Sequence, residues 1–88
     1  MKTSYRKSFT KDLKKLKDRS LRERVRQVIE VVKAADQPQD IVGLKKLSGT
    51  NDCYRLRVSE YRLGIIIAGD EVDFLRCLHR RDLYRCFP

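Results

Sequence analysis

The segment YRLRVSEYRLGIII, residues 54–67, predicts two antiparallel strands joined by a short turn. Residues 54–58 alternate strictly between apolar or aromatic side chains and arginines, which is typical of a strand with one buried face. Residues 59 and 60 form the turn, and the apolar run 61–68 is typical of a central strand. Like charges on neighbouring strands repel one another, so Arg55, Arg57 and Arg62 indicate a function rather than a contribution to stability.

Two amphipathic helices are predicted before this hairpin. Apolar residues at positions 9, 13 and 16 recur at helical spacing. Thr10 is a suitable N-cap for that helix, and Asp12 suits the positive end of its dipole in the first turn. The second helix begins with SLRE, residues 20–23, which has the pattern of a capping box. An apolar stripe follows it, so the two helices are expected to pair as an antiparallel hairpin.

Predicted strands come before and after the two helices in the sequence, which is an α+β pattern. TSYR, residues 3–6, is a candidate first strand, and LKKL, residues 44–47, is a candidate short edge. The turn AGDE leads to a last strand over residues 72–78. This order predicts a two-helix hairpin packed on one face of a mostly antiparallel four-stranded sheet. The other face is expected to stay open and to carry the arginines.

The charge of the chain indicates a polyanionic partner. The 88 residues carry a formal net charge of +9 at pH 7, which suits nucleic acid, an anionic membrane or an acidic protein. Every lysine lies at or before Lys46, and every cation after Cys53 is an arginine. Arginine holds phosphate with a planar fork whereas lysine acts as a point charge, so the second half of the chain suits phosphate recognition.

Other features narrow the class of protein. The three cysteines are odd in number and form no CxxC pair, so neither a disulfide framework nor a metal site is expected, and no cofactor is implied. The segment MKTSYRKSFTKD has no apolar stretch of a signal peptide, and the apolar run LGIIIA is too short to span a bilayer. We expect a cytoplasmic protein with one domain over residues 1–88 and no membrane partner.

Three segments now carry a resemblance to a known family. SFTKDLKKL, LKKLSGTNDCYRLRVSEYRLGIII and LHRRDLYRCFP, in this order, resemble the RelE/ParE superfamily of toxins from toxin–antitoxin systems. The resemblance implies a RelE/ParE-like fold with a short C-terminal helical segment. It also implies one of two activities, because one branch cleaves messenger RNA in the ribosomal A site and the other poisons DNA gyrase.

The resemblance also implies site residues. The nuclease branch places basic residues on the second strand, an arginine on the third, and an arginine and a tyrosine near the C-terminus. These positions are matched by Arg55, Arg57, Arg62, Arg80 and Tyr84. The filled set favours the nuclease, although arginines replace the usual lysine pair and the segment between Arg80 and Tyr84 is shorter than in that subgroup. Lys45, Lys46 and Arg81 are further candidates for RNA binding.

Cleavage by the 2′-hydroxyl of RNA needs no metal but needs charge stabilisation and a base. Arg62 and Arg80 are assigned to the scissile phosphate. Arg55 and Arg57 are assigned to the neighbouring backbone, and Arg55 is also a candidate for charge stabilisation. Arginine stays protonated at neutral pH and cannot be the base. The resemblance implies that Tyr84 is the base, and nearby guanidinium groups would favour its phenolate. His79 is an alternative acid or base, or else it bonds the backbone at the end of its strand.

Three functions remain open from the sequence. They are a ribosome-dependent messenger RNA endoribonuclease, a DNA gyrase poison without nuclease activity, and an RNA-binding or sequestered module whose activity has decayed. The resemblance implies a cognate antitoxin with an acidic binding segment, and a complex that binds operator DNA through the antitoxin. For the nuclease, the ribosomal A site and messenger RNA are further partners.

Overall fold

The computed structural model describes residues 1–87, which form one five-stranded sheet and three α-helices. The strands are β1 (Lys2–Tyr5), β2 (Lys45–Lys46), β3 (Cys53–Val58), β4 (Tyr61–Ala68) and β5 (Glu71–His79). The helices are α1 (Lys7–Lys15), α2 (Arg19–Ala34) and α3 (Arg80–Cys86), and a 3-10 turn covers Pro38–Asp40. The predicted α+β class is confirmed. Within residues 1–87 no helix is long and apolar enough to cross a membrane.

The strand order is β1-β5-β4-β3-β2, with β1 parallel to β5 and every other pair antiparallel. Val58 faces Tyr61 in the ladder, so Ser59 and Glu60 form the predicted tight turn, and Ser59 adopts a φ of 57°. The sheet has five strands rather than four because the two residues of β2 pair with β3 at the edge. The possible edge strand in LKKL therefore forms.

The helix caps differ from the prediction. The α2 helix begins at Arg19, and its N-cap is Asp18, whose carboxylate accepts the backbone N–H of Leu21 at 3.2 Å. The predicted capping box at residues 20–23 is wrong because Ser20 already lies inside the helix. Thr10 likewise lies inside α1, where its hydroxyl donates to the carbonyl oxygen of Arg6 at 3.3 Å. Both helices begin earlier than the sequence pattern indicates.

The main core lies between the helical hairpin and one face of the sheet. Its fully buried side chains come from α1, α2, β4 and β5, and they include Phe9, Val25, Val32, Leu63, Ile65, Val72 and Phe74. Tyr54 and Tyr61 pack against this cluster as predicted from their alternation with the arginines. This alternation therefore places the intervening residues of β3 and β4 on the other face.

Asp12 is a buried carboxylate that joins α1 to β5. Its side chain is 5 % exposed, and it accepts hydrogen bonds from Arg76 Nε at 2.8 Å, Arg76 Nη2 at 3.2 Å and the backbone N–H of Cys77 at 2.9 Å. The prediction that Asp12 lies in the first turn is wrong because α1 already begins at Lys7. The residue acts through tertiary contacts instead.

The second face of the sheet is partly covered by α3. Leu83 and Phe87 pack there with Leu47 and Cys53 in a smaller buried cluster. The expectation of an open face is therefore wrong for its centre. Gly64 makes this close approach possible, since a Cβ at position 64 would lie 2.9 Å from the Phe87 ring and 3.2 Å from Leu83 Cδ1. The arginines lie on the part of the face that α3 leaves uncovered.

Replacing Gly64 with valine should loosen α3. The added methyl groups would force Phe87 and Leu83 away from β4, and such overpacking typically costs about 1–3 kcal/mol. Urea unfolding would measure the loss, and amide exchange within α3 would show where it occurs. The Ala68→Val variant is the control, because Ala68 is exposed at the end of the same strand. Slow exchange in α3 of Gly64→Val, as in the unmodified protein, would contradict the packing role of Gly64.

Among the side chains that the structure describes, Cys53 and Cys77 are free, buried cysteines. Burial, followed by the negative charge of Asp12, raises the pKa of the Cys77 thiol from 9.0 to about 12. Burial, followed by the hydrogen bond to Asp52, also raises the pKa of Cys53. Both thiols are therefore held in their neutral form in the folded protein.

The raised pKa of Cys77 should make the fold less stable in alkali. Below pH 9 the thiol is neutral in both states, whereas at higher pH the unfolded chain alone loses the proton, so stability falls until the pH reaches the folded pKa. Between about pH 8 and pH 10 the loss from this group should be about 1.4 kcal/mol. Urea unfolding of the protein and of Cys77→Ala measures it, because the other titrating groups cancel in the comparison. Equal pH dependence of the two proteins would contradict the prediction.

Candidate functional site

The predicted arginines of the hairpin share one face of the sheet. Arg57 faces Arg62 directly across the β3–β4 ladder, and Arg55 faces Gly64. The same register places Lys45 of β2 opposite Arg55. Because these residues alternate with the buried ones, their side chains lie on the face that also carries α3. A positive surface thus runs across three adjacent strands.

Arg62 is the member of this positive surface that belongs to β4. Its Nη1 donates to the carbonyl oxygens of Ser59 at 3.0 Å and Tyr61 at 2.9 Å, so the guanidinium is held over the β3–β4 turn. Burial lowers the pKa of Arg62, and three neighbouring guanidinium groups lower it further. Those neighbours are Arg55, Arg57 and Arg80. We call these four residues the arginine cluster.

Arg80 reaches the arginine cluster from the first position of α3. Its backbone N–H donates to the carbonyl oxygen of Glu60 at 2.8 Å, and its Nε lies 3.0 Å from Glu60 Oε2 in an ion pair. From the sequence, Glu60 was expected only to form the turn with Ser59, and no functional role was expected for it. The signal was present, because a tight turn at residues 59 and 60 beside a third antiparallel strand brings residue 60 next to residue 80. The turn therefore contacts both arginines that were assigned to the scissile phosphate.

Tyr84 lies one helical turn after Arg80, on the same side of α3. Its side chain is 62 % exposed and lines a cleft of about 280 Å³ with Lys45, Lys46 and Arg55. Leu47, Ser48 and Phe87 complete the walls of this cleft. An exposed phenol is therefore placed beside three cations, at the edge of the arginine cluster.

His79 and Arg81 lie away from these residues. His79 is the N-cap of α3, where its Nδ1 accepts the backbone N–H of Arg81 at 3.3 Å, and its ring meets the edge of the Tyr61 ring at 5.7 Å. Both side chains line a different cleft, together with Asp12 and Lys15. His79 thus makes the backbone bond that the sequence offered as the alternative to acid–base chemistry. Within residues 1–87 no group of three His, Cys, Asp or Glu side chains is placed to hold a metal ion.

The fold is that of the RelE toxins. It matches a chain in the crystal structure of the RelB–RelE antitoxin–toxin complex from Methanococcus jannaschii, with a TM-score of 0.80 and 35 % identity over 97 % of this chain and 99 % of that one. The RelE–RelB complex from Pyrococcus horikoshii OT3 gives a TM-score of 0.72, with 90 % of this chain and 93 % of that one covered. At 22 % identity the second match shows the fold alone.

The sequence comparisons identify the family. The model described as the ParE toxin of the type II toxin–antitoxin system parDE matches residues 4–84. Toxin RelE3 of Methanocaldococcus jannaschii is 38 % identical over 89 residues, which cover the whole of both chains. The chain belongs to the RelE/ParE family of toxins of type II toxin–antitoxin systems, and the resemblance found in the sequence is confirmed.

Proposed function

We propose that this toxin is an endoribonuclease that cuts messenger RNA in the ribosomal A site and thereby stops translation. The observation that carries the proposal is the arginine cluster, in which Arg55, Arg57, Arg62 and Arg80 gather on one face despite their mutual repulsion. A phosphodiester would relieve that repulsion, because its negative charge pairs with several guanidinium groups at once. The exposed side chain of Tyr84 beside the cluster adds a candidate base, which would take the proton in its phenolate form.

The reaction is an internal transesterification. The 2′-oxygen attacks the adjacent phosphorus while the bond to the 5′-oxygen breaks, which leaves a cyclic 2′,3′-phosphate on one fragment and a 5′-hydroxyl on the other. The base takes the proton of the 2′-hydroxyl, and the leaving 5′-oxygen takes a proton from water or from an acid. Negative charge increases on the phosphate oxygens in the transition state, so fixed cations there lower the barrier.

The arginines divide this work by position. Arg62 and Arg80 both contact the β3–β4 turn and would bind the scissile phosphate. Arg55, which lines the cleft with Tyr84, would stabilise the same charge from the other side. Arg57 is exposed and faces Arg62, so it would bind the neighbouring backbone. Each role uses the planar fork that arginine offers to phosphate oxygens.

Tyr84 is the preferred base of the two candidates. It shares a cleft with Arg55, whereas His79 lines another cleft and already accepts a backbone hydrogen bond through Nδ1. Lys45 and Lys46 line the Tyr84 cleft and would bind RNA as it leaves the arginine cluster. Arg81 would contact RNA only through a separate part of the surface. We therefore assign proton removal to Tyr84.

A cognate antitoxin is the second proposed partner, since the solved complexes from Methanococcus jannaschii and Pyrococcus horikoshii pair RelE with RelB. An acidic segment would suit the +9 charge of this chain. It would cover the arginine cluster and block RNA, and the toxin–antitoxin complex would bind operator DNA through the antitoxin. We therefore propose that the toxin acts in the cytoplasm, together with the ribosome and the antitoxin.

Mapping the 5′ ends of transcripts after brief expression tests the proposal. We expect new ends inside translated codons, and we expect them to disappear from a message whose start codon has been removed. The gyrase alternative, which the ParE description of the family model favours, predicts uncut messages and broken DNA. Growth arrest with intact messages and damaged DNA would therefore overturn the nuclease, and no arrest at all would indicate a decayed module.

A further inference from the structure

The carboxylate of Glu60 lies next to the arginine cluster. Its Oε2 lies 3.0 Å from Arg80 Nε in an ion pair, and its charge offsets part of the repulsion that the other arginines exert on Arg62. Among residues 1–87 the Arg80 guanidinium has no other acidic partner. The residue that would bind the scissile phosphate is therefore already paired with an anion of the toxin itself.

The Arg80–Glu60 ion pair can break easily, so another anion can replace the Glu60 carboxylate. The side chains of Arg80 and Glu60 are 63 % and 57 % exposed, so water competes for both, and such pairs add little stability. The backbone N–H of Arg80 donates separately to the carbonyl oxygen of Glu60 at 2.8 Å. The start of α3 thus remains attached to the turn when the carboxylate leaves, and only the guanidinium becomes available.

We propose that Glu60 is an internal counter-ion, which pairs with Arg80 in the RNA-free toxin and is displaced by an RNA phosphate. The inference rests on the proposed function, because it assigns Arg80 to phosphate binding. Its consequence concerns specificity: every RNA must compete with Glu60, so weak contacts with RNA in general are suppressed. Only a substrate that makes further contacts with the toxin gains enough binding free energy to displace Glu60 from Arg80.

The test uses a single-stranded RNA oligonucleotide with 2′-O-methyl groups on every ribose, which the proposed chemistry cannot cleave. Glu60→Gln should bind it about two- to fivefold more tightly than the unmodified toxin, which is the range expected for loss of an exposed ion pair. Glu23→Gln is the matched control, since it makes the same change of charge on α2, where Glu23 lies 4.0 Å from Arg26. Glu60→Asp keeps the charge and should bind less tightly than Glu60→Gln.

A double substitution separates exchange from a general effect of charge. In an Arg80→Gln background, Glu60→Gln should give no gain beyond that of Glu23→Gln, because the paired guanidinium is gone. A gain that persists in this background, or equal gains from Glu60→Gln and Glu23→Gln, would overturn the inference. If either of these results is found but the unmodified toxin still cleaves messages, only the proposed role of Glu60 is wrong. If it neither binds the oligonucleotide nor cleaves messages, the proposed function fails as well.

Discussion

Replacing Arg62 with alanine should slow transcript cleavage by about 10²–10³-fold and leave the protein folded. Arg62 is the member of the arginine cluster on which burial and the other three guanidinium groups act together. In the proposed mechanism Arg62 is a fixed cation that would face the charge growing on the phosphate in the transition state, and the substitution removes it. The effect should therefore fall on the rate at saturating ribosomes, since the remaining arginines would still bind the RNA backbone.

Cleavage of a defined message on purified ribosomes, followed by primer extension, measures this rate. Arg22→Ala is the matched control, because it removes one positive charge from the exposed surface of α2. Arg62→Lys keeps the charge but loses the planar fork, so its rate should lie between those of the alanine variant and the unmodified toxin. Thermal unfolding of each variant must show a transition like that of the parent. A folded Arg62→Ala protein that cleaves at the normal rate would remove Arg62 from the mechanism.

The arginine cluster was largely predictable from the sequence because it follows from local rules. A strand alternates its side chains with a period of two, and a two-residue turn sets the register of the hairpin, so Arg55, Arg57 and Arg62 had to share a face. Arg80 and Tyr84 came from the family resemblance instead. Their placement depends on α3, whose packing over Gly64 no local pattern indicates.

The last strand shows why the remaining features were missed. The register between β4 and β5 shifts after Gly64, so that Gly64 faces Arg76 while Ile65 faces Phe74. Such a bulge reverses the alternation of the strand. Phe74 and Cys77 consequently both face α1 and α2, whereas Leu75 and Leu78 face α3. A glycine inside a strand, such as Gly64, is a sign of a bulge, but it does not indicate which strand carries the extra residue. The contact between Asp12 and β5 depends on this shift.

Replacing Asp12 with alanine should lower the free energy of unfolding by about 3–5 kcal/mol, which is the usual effect of removing one partner from a buried ion pair. The substitution would leave Arg76 without the carboxylate that it contacts through two nitrogens, and it would leave the buried N–H of Cys77 without its acceptor. Alanine is the better helix former, so the loss would come from tertiary contacts between α1 and β5. A domain of this size has little stability to spare.

Urea unfolding at neutral pH measures this loss, with Asp36→Ala as the control. Asp36 is exposed, so its removal should change the free energy of unfolding by no more than about 0.5 kcal/mol. Combining Asp12→Ala with Arg76→Met should recover part of the loss, because the guanidinium that Asp12 contacts is then removed together with the carboxylate. The recovery should be incomplete, since the N–H of Cys77 still lacks its acceptor. If Asp12→Ala and Asp36→Ala unfold at the same urea concentration, the buried carboxylate does not hold α1 to the sheet.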